Sequence, residues 1–293
     1  AMAAQPLFIH AGAHRTGTSS FQMCLHENRA LLEARGWALS YPGRDGIPSG
    51  TATLRLPRPR DEQLGGITVR ARRRLAAQSG GRPLLLSEEN IPGRMLHFMK
   101  GQFYPATEKR CAVLRDAWAG PISHVLLVVR PYDQLFVSSY RKRAEDNRVP
   151  AFDGLRPNFM RMDRGWPEIV SILRDTLRPE TLTVVPYAAR GTSAALLARL
   201  VPDLPVDSLR EPARDVNVSA TDAALMALQA RYAKGEKLAR PDWQAVVAAH
   251  ADDPAPRGFA AFGEDESVVL RDRYEHDLTR ISAMEGVTYT SPA

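Results

Sequence analysis

The segment 122-ISHVLLVVR-130 does not alternate between apolar and polar residues. A strand wetted on one face alternates, whereas a strand buried on both faces carries a continuous apolar run, and such strands belong to parallel sheets. This segment therefore predicts a central strand covered by helices on both sides. Four further runs fit the same sheet: 6-PLFIHA-11, 37-WALSY-41, the apolar part of 82-RPLLLSEEN-90, which ends at Leu86, and 181-TLTVVPYA-188. Between them the spacing predicts helices from Thr18 to about Ala34, with Thr18, Ser19 and Ser20 as caps and Gly36 closing it, and over 61–79, 105–119, 133–145 and 166–177. Beyond about residue 190 the chain reads as helical, over 192–200, 220–234, 241–250 and 264–285. Strands alternating with helices predict an α/β fold with a parallel sheet covered on both faces. No linker sets the last third apart. One domain is expected over 1–293, with its core at about 6–190 and a helical C-terminal region at about 191–293.

In such a sheet, ligands bind beyond the carboxyl ends of the strands. That edge gathers four segments: Gly12–Ser20, Ser87–Asn90, Arg130–Asp133 and the residues after Tyr187. The charge balance, 39 basic to 33 acidic residues and mostly arginine in its excess, favours an anionic ligand. There is neither zinc-finger spacing nor an aromatic RNA-binding signature, so no nucleic-acid partner is expected. No apolar run approaches about 18 residues, so no transmembrane segment is expected. The N-terminal AMAAQ lacks a basic n-region and a long apolar stretch. Two cysteines, Cys24 and Cys111, make no disulfide framework. A reducing, cytoplasmic setting is the expectation.

The first of the four segments reads 8-FIHAGAHRTGTSSFQ-22. A Walker A loop would place lysine after the second glycine; here Thr18 follows Gly17, and Arg15 stands inside the loop. Glycines at 12 and 17 allow a tight path whose N–H groups point at an anion, and the following helix adds about half a positive charge. Thr16, Thr18, Ser19 and Ser20 supply hydroxyls, and Arg15 a planar fork suited to phosphate or sulfate. Asp133 reads as a helix cap, and no other strand-end acid suits magnesium. The loop is therefore poorly suited to ATP with magnesium.

The run 9-IHAGAHRTGTSSFQ-22, continuing through 27-ENRALLEARGWALSYPG-43, resembles the opening of sulfotransferases that use 3′-phosphoadenosine-5′-phosphosulfate (PAPS). Their first motif, approximately Pro-Lys-Thr-Gly-Thr-Thr, grips the 5′-phosphosulfate; here it reads His14-Arg15-Thr16-Gly17-Thr18-Ser19. Arg15 takes the lysine position, as in tyrosylprotein sulfotransferases, and His14 departs from the proline. Their second motif is an arginine ending a strand with a serine eight residues on, together holding the 3′-phosphate. Arg130 and Ser138 in 125-VLLVVRPYDQLFVSSYRKR-143 match it, with Ser139 one residue off. The resemblance covers about residues 7–190 and lacks the C-terminal Lys-Gly-rich motif of cytosolic small-molecule sulfotransferases. It is closest to bacterial, carbohydrate-sulfotransferase-like members.

The resemblance implies a P-loop-like three-layer fold and transfer of a sulfuryl group from PAPS to an acceptor hydroxyl or amine, on a carbohydrate or lipid-linked acceptor. Adenosine 3′,5′-bisphosphate is the product, and no metal is required. Thr16, Gly17, Thr18 and Ser19 join Arg15, Arg130 and Ser138 in holding the nucleotide, and Arg15 also stabilises the leaving phosphate. The base is expected in 84-LLLSEEN-90. Glu88 and Glu89 are adjacent, so in extended backbone they point opposite ways; alignment with Asn90-Ile91 selects Glu89 over Glu88. His10, His14 and His97 are alternative bases. Arg214 and Asn217 read chiefly as the approach to a helix start, with nucleotide contact the lesser reading, while 70-RARRR-74 and Arg141, Lys142, Arg143 and Arg148 read chiefly as solvated helix faces. Loops 42–60, 91–104 and 144–165 and the helical tail would set the acceptor. The competing functions are a nucleotide-binding protein without turnover and a P-loop kinase or triphosphatase.

Overall fold

The structure, a computed structural model, describes residues 4–44, 47, 54–213 and 219–291. In chain order the elements are β1 (Leu7–His10), α1 (Thr18–Glu27), α2 (Arg29–Ala34), β2 (Ala38–Ser40), α3 (Gly65–Ser79), β3 (Leu84–Ser87), α4 (Thr107–Ala117), β4 (Ile122–Val129) and α5 (Tyr132–Asp146). There follow α6 (Phe152–Met160), α7 (Trp166–Ile172), β5 (Thr181–Pro186), α8 (Ser193–Leu200), α9 (Asp222–Ala233), α10 (Arg240–Ala249), α11 (Glu264–Ser282) and β6 (Val287–Tyr289). The strands form one sheet in the order β2-β3-β1-β4-β5-β6, parallel at every pairing. β4, the strand with the continuous apolar run, lies inside it between β1 and β5.

Alternate residues of the central strands feed two cores. Ile9, Leu86, Val125, Leu127 and Val184 pack with buried side chains of α3, α4, α5, α7 and α11 on one face. Leu85, Leu126, Val128 and Val185 pack with Phe21 and Leu25 of α1, Leu32 of α2 and Leu196 and Leu197 of α8 on the other. The C-terminal region is continuous with this core. Leu270, Tyr274, Leu278 and Ile281 of α11 belong to the first cluster, and the Tyr274 hydroxyl donates to the Val129 carbonyl at 3.2 Å. Among the described residues no helix is long and apolar enough to cross a membrane.

The structure departs from the expected elements at several points; among them, Asp133 lies inside α5 and does not cap it, the capping residue being Pro131. The helix expected from Thr18 to Ala34 breaks at Asn28. That side chain turns back on the Cys24 carbonyl at 2.8 Å and clasps the backbone of Arg210 through both its groups, at 2.9 and 2.8 Å. An amide competing for helix carbonyls is a known source of such breaks. Thr18, Ser19 and Ser20 do not cap α1; Gly17 is the capping residue and supplies no side-chain hydrogen bond. α6 lies in a stretch whose pattern predicts a loop and carries Pro157 within it. The C-terminal region also contributes β6, a three-residue edge strand too short to show a period.

Candidate active site

β1 and β4 continue to pair beyond β1: Ala11 donates to Leu126 and Ala13 to Val128, at 2.9 and 3.0 Å. The chain then turns sharply into α1 through left-handed conformations at Gly12, Arg15 and Gly17 (φ +86°, +58° and +81°). A Cβ on Gly12 would stand 3.1 Å from the Cα of Glu89, so a larger residue there would have to push back the Glu89 backbone as well as adopt a positive φ. A Cβ on Gly17 would stand 2.8 Å from Nε of Arg190. For Arg15 a positive φ is unfavourable by about 1 kcal/mol. The loop is held there by Thr16 Oγ1 donating to the Ala13 carbonyl (2.6 Å) and by Arg130 Nη1 donating to the Arg15 carbonyl (2.6 Å). Gly17 offers no side-chain cap to the first N–H groups of α1, and a helix N-terminus of this kind suits an anion.

Four arginines from four separate segments converge on this turn. Arg15 Nε donates to Ser138 Oγ at 2.9 Å, joining the loop to α5. Arg130 lies over the Tyr187 ring at 4.7 Å, and its own carbonyl is anchored by Trp166 Nε1 at 3.0 Å. Arg130 and Ser138, expected as a pair, thus both meet Arg15, one at its carbonyl and the other at its guanidinium. Arg190 is buried and donates to the Gly17 carbonyl (2.9 Å) and Ser193 Oγ (2.8 Å). Arg44 donates to Ser19 Oγ (2.5 Å) and to Glu89 Oε1 (2.9 Å). Among the described residues, the Nε atoms of Arg44 and Arg190 are buried without a partner. Burial, opposed by the Glu145 carboxylate and reinforced by the Arg130 charge, lowers the pKa of Arg15. Positive charge gathered around a helix terminus without a side-chain cap calls for an anionic ligand.

No family model, no curated protein and no solved structure matches this chain.

The two glutamates at the end of β3 occupy different environments. Glu89 lines a cleft of about 320 Å³ with His14, Asn90, Arg94, Phe136 and Ser139. Its Oε1 accepts from Arg44 and its Oε2 from Gln22 Nε2 at 2.8 Å. Burial pushes its pKa up, but the Arg44 charge, His14 and the Gln22 hydrogen bond together hold it below the ordinary carboxylate value. Glu88 is buried and does not line this cleft. Its Oε1 accepts from the Asn90 backbone N–H (3.0 Å) and from Asn90 Nδ2 (2.9 Å). Burial and then the neighbouring Glu89 charge raise it to about 7. The chain turns at Glu89 directly after β3, so the expected divergence comes from a turn and not from extended backbone; it leaves Glu89 ionised in the cleft and Glu88 buried with a raised pKa.

The histidines are engaged elsewhere. Asn90 directs Nδ2 at Glu88, so its Oδ1 accepts from His14 Nε2–H (3.0 Å), and His14 Nδ1 shares a hydrogen bond with the Tyr104 hydroxyl (3.1 Å). Both ring nitrogens of His14 are used, and burial lowers its pKa, opposed by the Glu89 charge and the Asn90 hydrogen bond. His10 bonds Ser87 Oγ at 2.8 Å and packs on Phe21, and burial with the Arg190 charge lowers it to about 3. His97 lines a different cleft. Ser139 Oγ is buried, lines the Glu89 cleft and has no hydrogen-bond partner among the described residues. Arg141 is tied to Asp222 (2.5 Å) and the Ala220 carbonyl (2.8 Å). Arg214 and Asn217 lie outside the described residues.

Sequence reasoning did not single out Arg44, Arg190 or Gln22. Arg44 sits in a loop with several arginines and no distinguishing spacing. Arg190 lies in the segment after Tyr187, which the topology did place on the ligand edge. Gln22 is one turn past Thr18, on the face of α1 that meets β3.

Proposed function

We propose that this chain is a sulfotransferase with a P-loop-like fold, moving a sulfuryl group from PAPS to an acceptor hydroxyl. The observation that carries the reading is the Arg15 assembly. Residues 15, 130 and 138, singled out from two distant motifs, meet through bonds of 2.6 and 2.9 Å at an uncapped helix terminus. Glu89 stands beside the same loop, joined to its Ser19 through Arg44.

The residues fit a nucleotide with phosphates at both ends. The 5′ end belongs with Arg15, Thr16, Gly17, Thr18 and Ser19, and the 3′-phosphate with Arg130, whose guanidinium lies at the loop rim over Tyr187. When bound, the nucleotide supplies the sulfuryl group and carries away the phosphate leaving group. Glu89 is ionised and uses one acceptor position on each oxygen; a carboxylate offers about four, so room remains for the acceptor's O–H. Taking that proton is general-base work. The loop N–H groups, Arg15 and Arg44 stabilise negative charge developing on the leaving oxygen. Thr18 in the lysine position weakens the kinase reading, and Asp133, the acid after β4, is occupied by Arg271 at 3.0 Å.

Thermal unfolding with added nucleotide tests this. Adenosine 3′,5′-bisphosphate is expected to raise the melting temperature clearly more than ADP with magnesium at equal concentration, since only a ligand bound to the folded state stabilises it. Equal or greater stabilisation by ADP would falsify the reading.

A further inference from the structure

A second cleft, of about 370 Å³, shares lining residues with the Glu89 cleft. Arg94 and Leu96 line both spaces. The charged lining of the second is entirely basic: Arg58, Arg60, Arg94, Lys100 and Arg110, with His97 among them. Arg110 has a structural task, donating to the carbonyls of Asn90 (2.7 Å) and Pro57 (2.8 Å). Lys109 adds bonds of 2.7 Å to the carbonyls of Pro59 and Asp61, and Thr107 Oγ1 one of 2.6 Å to that of Pro92. The walls of the cleft are therefore tied to α4 at several points.

The other four cations are not so employed. The side chains of Arg58, Arg60, Arg94 and Lys100 are exposed and form no ion pair among the described residues. The nearby carboxylate of Asp61 is taken up by the backbone N–H of Arg58 at 2.8 Å. Burial lowers the pKa of His97, and Lys100, Arg94 and Arg110 each lower it further, a sign of the positive potential there. Like charges gathered in a concavity without counter-charge repel one another, and the repulsion is relieved by an anion of matching size. Arginine forks suit phosphate and sulfate oxygens.

We propose that this second cleft is an anion-binding site, distinct from the loop at Gly12–Ser20, that takes a phosphate or sulfate group. Its place across Arg94 and Leu96 from Glu89 assigns that group to the acceptor, an acceptor already anionic before transfer; this last assignment rests on the sulfotransferase reading, whereas the anion site does not.

His97 gives a local readout, because its ring lines the cleft. Nuclear magnetic resonance of its ring protons, on titration with inorganic phosphate, is expected to show a saturable shift. Binding by this readout is expected to weaken about tenfold or more in the double variant Arg60→Glu/Lys100→Glu. It is expected to hold in Arg70→Glu/Arg73→Glu, which changes net charge equally on the exposed face of α3. Saturation with adenosine 3′,5′-bisphosphate should leave the shift in place. 4-Nitrophenyl phosphate is the second probe: tighter binding than inorganic phosphate marks a ligand-borne group, equal binding the free ion, and either upholds the site. No saturable shift in the native chain, or equal weakening in both double variants, overturns it. Failure of the bisphosphate to bind would instead sink the sulfotransferase reading and leave the His97 result standing.

Discussion

Glu89→Gln is expected to slow sulfuryl transfer by about a thousandfold, the usual weight of a positioned general base, while the affinity for adenosine 3′,5′-bisphosphate stays within about twofold of native. The substitution is tolerable in place. Arg44 can still donate to the one remaining oxygen. Gln22, whose own Oε1 is buried without a partner among the described residues, can turn its amide to accept from the new N–H group. The native pH profile should carry the same signature. The Glu89 pKa is held below the ordinary carboxylate value, so the base is charged throughout the neutral range and the rate falls only on the acid side, as Glu89 gains its proton. The variant should lose that acid limb. A variant retaining a tenth of native activity would remove Glu89 from the chemistry.

The second large effect concerns Arg130. Arg130→Ala is expected to weaken adenosine 3′,5′-bisphosphate by about a hundredfold while weakening adenosine 5′-phosphate far less, since a charge-assisted bond to phosphate contributes roughly 1.5–3 kcal/mol. Arg15→Ala, acting at the end both ligands share, should weaken the two alike. The comparison matters because Arg130 also donates to the Arg15 carbonyl. If Arg130→Ala lowers both ligands equally by calorimetry, its contribution is confined to holding the loop, and the 3′-phosphate assignment fails.

The parallel sheet was legible because burial on both faces leaves an unmistakable trace: no polar residue interrupts 125-VLLVV-129. From that followed the edge on which Gly12–Ser20, Ser87–Asn90 and Arg130 meet. What escaped is of another kind. Arg44 joins Ser19 to Glu89 from a loop with no periodicity, and Arg190 reaches Gly17 across 173 positions. Such pairings arise from the closure of the tertiary fold and leave no local spacing. The break at Asn28 likewise depends on Arg210, a partner invisible to any short window. Glu88 and Glu89 differ for the same reason. Alternation said that they diverge, but only the surrounding donors decide which one stays charged.

Arg44 holds one hand on the loop and the other on the carboxylate, and this ties the seating of the donor to proton affinity. A phosphate arriving at Ser19 draws on the guanidinium that keeps Glu89 acidic, and brings negative charge of its own. Glu89 must then hold a proton more tightly with nucleotide present than without, so the group becomes a stronger base once there is something to transfer. Linkage makes the relation reciprocal: binding should tighten as pH falls through the window between the depressed and the ordinary carboxylate value. Calorimetry in two buffers of different ionisation enthalpy, run in that window, should register net proton uptake on adding adenosine 3′,5′-bisphosphate. The uptake should vanish in Glu89→Gln; its absence in the native chain would mean that Arg44 never leaves the carboxylate.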